Sequence, residues 1–236
     1  VYAPVLDVNT NEKNPIIGAR ALSDHPEWAA RLGVAMIEGI REAHVLPVGK
    51  HFPGHGDTDQ DSHLELPYVH RDASVLEETE LTPFVAAVKH GLQVIMTAHV
   101  IYSAWDSKFP ATFSQKILRE ILRERLGFDG LIISDDLEMK AVEKYIPFDS
   151  IPRLGAAAGV DLYLICHDRE KILTLQDRMI QDVEAGRIER DAVESSVQRI
   201  LSLKQEISPA PSDGQRLLAL AQAHLELIEE MNSHLL

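Results

Sequence analysis

A chain of 236 residues, 45% hydrophobic and 25% charged, has the composition of an ordinary globular domain with a sizeable core. A formal net charge of −14 argues against the basic face that nucleic-acid binding requires, and the single cysteine, Cys166, excludes an intrachain disulfide framework and fits a reducing compartment. No apolar run approaches the roughly 20 residues of a membrane-spanning helix, and no Lys/Arg run reads as a membrane patch.

The chain opens on Val1-Tyr2-Ala3-Pro4, already inside a strand-like stretch, so upstream chain is expected to precede this sequence. Residues 1–9 are β-prone and run into Asp7 and Asn9. After a loop to Arg20, Ser23 or Asp24 is expected to cap a helix that has Pro26 in its first turn and ends near Ala43. Trp28, Leu32, Met36 and Ile40 recur every four residues and predict its buried stripe. Val45 to Gly49 reads as a strand. It launches Lys50-His51-Phe52-Pro53-Gly54-His55-Gly56-Asp57-Thr58, followed by Asp61-Ser62-His63, a segment too rich in glycine and proline for regular structure.

Ser74-x-x-Glu77 has capping-box spacing and predicts a helix to about His90. Leu92–Thr97 is a strand ending at His99. Ser114 caps a helix that Gly127 stops. Leu131–Ile133 is a strand with Ser134-Asp135-Asp136 at its end, and Leu162–Ile165 is another, with Cys166 expected as a buried strand-end thiol. A short helix at 152–158 and longer ones at 169–185 and 190–206 complete the body, and Ser208 to Ser212 is a linker to a last helix.

Strands that read as continuous apolar runs, alternating with helices, belong to parallel sheets covered on both faces. Polar groups gather at the C-terminal strand ends, the face on which (β/α) barrels place their sites. The fold expected is therefore α/β, a TIM-type (β/α)8 barrel lacking its N-terminal strands. Residues 1–207 form its catalytic domain, and 208–236 a linker and a helix packed on the barrel. A doubly wound open sheet is the alternative, though no G-x-G-x-x-G turn opens the chain.

Three chemistries are open to the residues. His51, His55, His63 and His70 could ligate a metal, but none has strong zinc-site spacing. Ser62 could act as a nucleophile between Asp61 and His63, without the G-x-S-x-G turn. In the third reading Asp61 orients His63 for proton transfer while Asp135, on another strand, is a fixed carboxylate, the equipment of retaining glycoside hydrolysis. Against it stands the plain reading of Asp135-Asp136 as a helix cap.

The histidine segment, together with Ala3-Pro4-Val5-Leu6-Asp7-Val8-Asn9, Ile17-Gly18-Ala19-Arg20, Met96-Thr97-Ala98-His99-Val100 and Gly127-Phe128-Asp129-Gly130 running on to Ser134-Asp135-Asp136-Leu137-Glu138-Met139, resembles glycoside hydrolase family 3 β-N-acetylglucosaminidases, the NagZ-type enzymes of bacterial peptidoglycan recycling. The resemblance covers roughly residues 1–205. It implies Asp135 as the nucleophile, His63 as acid/base with Asp61 as its partner, and Arg20, Lys50 and His51 as ligands of the sugar hydroxyls. It implies no metal or organic cofactor, a small N-acetylglucosamine-containing substrate, no nucleic-acid or membrane partner, a monomer, and a bacterial cytoplasmic location. A phosphorylase acting on the same sugars and a non-catalytic sugar-binding remnant are the rival expectations.

Overall fold

The computed structural model describes residues 1–59, 65–207 and 214–233. Its centre is a four-stranded parallel sheet in the order β1 (Gly49–Phe52), β3 (Val94–Thr97), β5 (Leu131–Asp136) and β6 (Leu162–Leu164). Two-residue strands β2 (Tyr68–Val69) and β4 (Ile101–Tyr102) pair in parallel beside it. Residues 3–6 lie along the outer edge of β1, where Val48 and Lys50 donate to the carbonyls of Ala3 and Pro4 and Leu6 donates to that of Lys50. The β-prone opening is thus a single extended bridge.

Both faces of the sheet are covered, as the uninterrupted apolar strands predicted. Ile95 and Ile132 face one way, with Phe52, into a core shared with Ile37 of α1 (Pro26–Glu42), Phe84 of α3 (Leu81–Lys89), and Ile117 and Leu118 of the π-helical segment Lys116–Arg125. Their neighbours Val94, Met96, Leu131 and Ile133 face the other way and meet Leu203 and Ile200 of α7 (Arg190–Glu206). Among the described residues the sheet does not close: the outer side of β6 pairs with no strand. The α/β class and the parallel sheet stand, with helices α5 (Ile151–Ala158) and α6 (Arg169–Glu184) following in alternation.

Several local expectations need correction. The buried stripe of α1 is Ala29, Ala30, Gly33 and Ile37, whereas Trp28, Leu32 and Met36 are exposed. A four-residue repeat drifts around the helix, and the small residues win because Leu6 presses close against Gly33. Ser23 and Asp24 do not cap it; His25 does, without a side-chain bond, and Pro26 stands in its first turn as expected. The capping box at Ser74 and Glu77 does not form. The helix breaks into α2 (Ala73–Glu78) and α3, and Glu77 pairs instead with Arg125. Cys166 is exposed, two residues past the end of β6.

Ser114 does hold the start of its helix, accepting from the Ile117 amide, and Gly127 ends it at φ +69°. In the last helix, α8 (Gly214–Ser233), residues 218–230 are exposed throughout, so the expected packing on the body is not seen there. Among the described residues no helix is long and apolar enough to cross a membrane.

Candidate active site

The C-terminal ends of β1, β3 and β5 converge with the chain leaving residues 3–6. Asp7 is the anchor. It is fully buried, and a buried carboxylate needs donors. Its Oδ1 accepts the backbone N–H of His51 at 3.1 Å and of His55 at 2.7 Å, and its Oδ2 faces His51 Nδ1 at 2.7 Å. Burial pushes the Asp7 carboxyl up, but the charge and hydrogen bond of His51 and the contacts of His55 outweigh it, and the net shift is downward. An ionised carboxylate only accepts, so His51 Nδ1 carries a hydrogen and Nε2 is aimed the other way.

That other nitrogen lies 3.9 Å from Asp135 Oδ2. Asp135 sits near the end of β5, partly exposed, its Oδ1 accepting the Asp136 amide at 2.8 Å. Burial again works against ionisation, but His51, His99, the Asp136 amide and Lys50 together hold its carboxyl below the ordinary value. Lys50 is pulled down by burial and by Arg20, with Asp135 and Asp7 opposing. Arg20 is exposed and fixed through Nε to the Ile16 carbonyl at 2.9 Å. Four of the six sequence-predicted residues, Arg20, Lys50, His51 and Asp135, are thereby gathered into one cluster. The other two, Asp61 and His63, lie outside the described residues, as does Ser62.

Asn14 fastens the loop before Arg20 to the histidine loop. Its Nδ2 donates to the carbonyls of His55 and Gly56, and its Oδ1 accepts from Ile16 and Ile17. Gly56 is required there, because a Cβ would run into the Val8 carbonyl. Beneath the loop, Tyr102 donates its hydroxyl to the Gly54 carbonyl at 2.5 Å, and Arg71 spans Asp57 at 2.5 Å and Glu80 at 3.5 Å. His55 is buried against Thr58, and burial first, then the His51 charge, brings its imidazole down to about 4. His55 is therefore neutral at neutral pH.

His99 supports Asp135 from below. The Asp136 carbonyl, 3.1 Å from Nε2, can only accept, so that nitrogen holds the hydrogen of the neutral ring and Nδ1 accepts from the Thr112 hydroxyl at 2.7 Å. Burial lowers this ring's affinity for a second proton despite Asp135. Asp7, His99 and Thr112 carry no role in the sequence reading. An acid embedded in Val5-Leu6-Asp7-Val8 was the available signal, since a charge in an apolar run must have partners.

The metal reading of the histidines finds no geometry among the described residues: His51 turns to Asp7, His55 to Thr58 and His70 to Ser103. Asp136, Glu138 and His167 do approach one another. The Glu138 carboxylate is occupied, however, accepting the amides of Cys166, His167 and Asp168, with Lys171 at 3.8 Å. It clamps the loop after β6 to the loop after β5. Nor is Asp136 a helix cap; it accepts the Glu138 amide within its own loop.

A partly exposed carboxylate kept ionised among imidazoles and a lysine, on a strand end, is suited to attack an electrophilic carbon. Residues 1–203 match the model of the glycosyl hydrolase family 3 N-terminal domain. A beta-hexosaminidase of Mannheimia succiniciproducens is 41% identical over 75% of this chain and 51% of its own length, and one of Pseudomonas aeruginosa is 42% identical over 71% and 50%. The structure of a glycoside hydrolase family 3 beta-N-acetylglucosaminidase from Paenibacillus superposes with a TM-score of 0.86 at 39% identity, over 90% of this chain and 42% of that one. The chain thus spans about half the length of the curated relatives it matches. With the match running through every element that carries the cluster, the chain belongs to the glycosyl hydrolase family 3 N-terminal domain family.

Proposed function

We propose that this chain is the catalytic part of a retaining glycoside hydrolase that removes terminal β-linked N-acetylglucosamine from peptidoglycan fragments. The observation that carries the reading is Asp135: a strand-end carboxylate held ionised, with His51 Nε2 3.9 Å from it. Asp135 attacks the anomeric carbon while His63, oriented by Asp61, protonates the departing glycosidic oxygen. Water then attacks the same carbon, His63 takes the water's proton, and the bond to Asp135 breaks, restoring the carboxylate. Arg20, Lys50 and His51 hold the ring hydroxyls, which a polar pocket must satisfy with donors and acceptors. No step uses a metal or organic cofactor. The names of the hexosaminidase and N-acetylglucosaminidase relatives support the sugar. A monomeric, cytoplasmic enzyme whose barrel is closed in the whole protein completes the reading.

The test is hydrolysis of an aryl β-N-acetylglucosaminide by the protein and by Asp135→Ala. Turnover that falls at least 1,000-fold in the variant, roughly 4 kcal/mol of lost transition-state stabilisation, is expected. Equal rates would reduce Asp135 to a backbone acceptor and sink the assignment.

A further inference from the structure

The loops that leave β1, β3 and β5 beyond Asp135 carry a second feature. Tyr68 of β2 and His70, the residue just after the strand, are both exposed, with buried Val69 between them. Their rings stack at 5.9 Å between centroids and 12° between planes, and Ser103 Oγ meets His70 Nδ1 at 3.0 Å. Tyr145, just after α4 (Lys140–Glu143), is 48% exposed, and its hydroxyl donates to Glu65 Oε2 at 2.6 Å while Lys144 takes Glu65 Oε1. Tyr145 lies within electrostatic reach of Tyr68; its phenol is pushed up first by the Glu65 hydrogen bond.

Exposed tyrosines singly need no explanation. These three rings are different because they are held. Leu66, Ile101 and Ala141 form a small core of their own that fastens residues 65–70, β4 and α4 together. Tyr102 on β4 runs on to the Gly54 carbonyl in the histidine loop. Asp135 and Asp136 lie at the end of β5, only a short turn before α4. The patch is therefore rigidly tied to both loops that build the candidate site, and it lies at the same, C-terminal, end of the sheet.

Ordered aromatic faces in water present large apolar area at low entropy cost. A pyranose ring offers a complementary surface, with C–H bonds on its faces and hydroxyls at its rim. Glu65, Lys144 and Ser103 stand around the rings with acceptors and donors for such hydroxyls. Resting on the hydrolase reading above, we propose that Tyr68, His70 and Tyr145 form the subsite for the sugar on the leaving side of the cleaved bond, taking a second pyranose by ring stacking. The chain then selects for a carbohydrate aglycone.

The test compares kcat/KM of the protein, Tyr68→Ala, Tyr145→Ala and the phenylalanine variants at both positions. The probes are the β-1,4-linked disaccharide of N-acetylglucosamine and methyl β-N-acetylglucosaminide, whose leaving group has no ring. The alanine variants are expected to lose 10-fold or more on the disaccharide, chiefly through KM, and less than 2-fold on the methyl glycoside. Tyr68→Phe should retain most of the disaccharide rate, since it keeps the ring. Equal losses on both substrates, or no loss on the disaccharide, would overturn the subsite while leaving the hydrolase standing. A wild-type protein that cleaves neither substrate would overturn both.

Discussion

At the level of single residues, the site is organised by a fully buried carboxylate. Asp7 keeps a hydrogen on His51 Nδ1 and so determines which nitrogen of the ring faces Asp135. Asp7→Asn keeps an oxygen for the His51 and His55 amides but loses the charge that holds Nδ1–H. We expect kcat to fall on the order of 100-fold, about 2.7 kcal/mol, with the folded far-UV spectrum unchanged. Activity within 3-fold of wild type would mean that His51 is oriented by other contacts. Asp135 was legible in the sequence because it follows an apolar run. Asp7 was legible only as a polar strand end, because its meaning comes from partners 44 and 48 residues away.

At the level of elements, the histidine loop rests on two buried groups with opposite pH behaviour. Burial raises the Glu80 carboxyl to about 7, against the pull of Arg71, and one of its oxygens has no hydrogen-bond partner among the described residues. Its native form keeps a proton that the unfolded chain has released above 4.5, so stability falls as pH rises from there to about 7. His55 does the reverse: between 6.5 and about 4 the unfolded chain takes a proton that the native ring refuses, so stability falls as pH drops. The two slopes oppose one another in the wild-type protein. Glu80→Gln removes the first and leaves the second. Urea unfolding should then show stability rising with pH between 4.5 and 6.5 more steeply than in wild type, by up to on the order of 3 kcal/mol. Superimposable pH profiles would show that Glu80 is solvated.

The same level explains where sequence reading failed. Ser114 and Gly127 mark helix ends by local bonding and φ, and both were read correctly. Trp28, Leu32 and Met36 were misread because hydrophobicity alone does not say which side of a helix is approached closely. Gly33 against Leu6 decides that, and this is a tertiary fact. The break between α2 and α3 has the same origin, since Glu80 is drawn inward beneath Gly54.

At the level of the whole molecule, the parallel α/β sheet was legible from strand composition, while its closure was not, because closure depends on which edges find partners. Here α7 lies over one face through Leu203 and Ile200 and is fixed by Arg199 to Asp161 at 2.7 Å, and Asp161 in turn accepts the Ile132 amide of β5. The covering helix and the sheet are thus joined by charge as well as by apolar contact.

The segment that delivers Asp7 is fastened differently. Among the described residues, residues 3–6 meet the sheet through three backbone hydrogen bonds at its margin, with Leu6 and Asp7 buried behind them. A segment paired only along a sheet margin opens at a lower free energy than the centre of the sheet. Catalysis should therefore be the first property to melt. Heating should extinguish turnover several degrees below the loss of helical signal, with amides of Leu6, Lys50 and His51 exchanging with deuterium ahead of those in β3 and β5. Equal protection of these amides and those of β3 and β5 would show instead that the margin and the centre unfold as one.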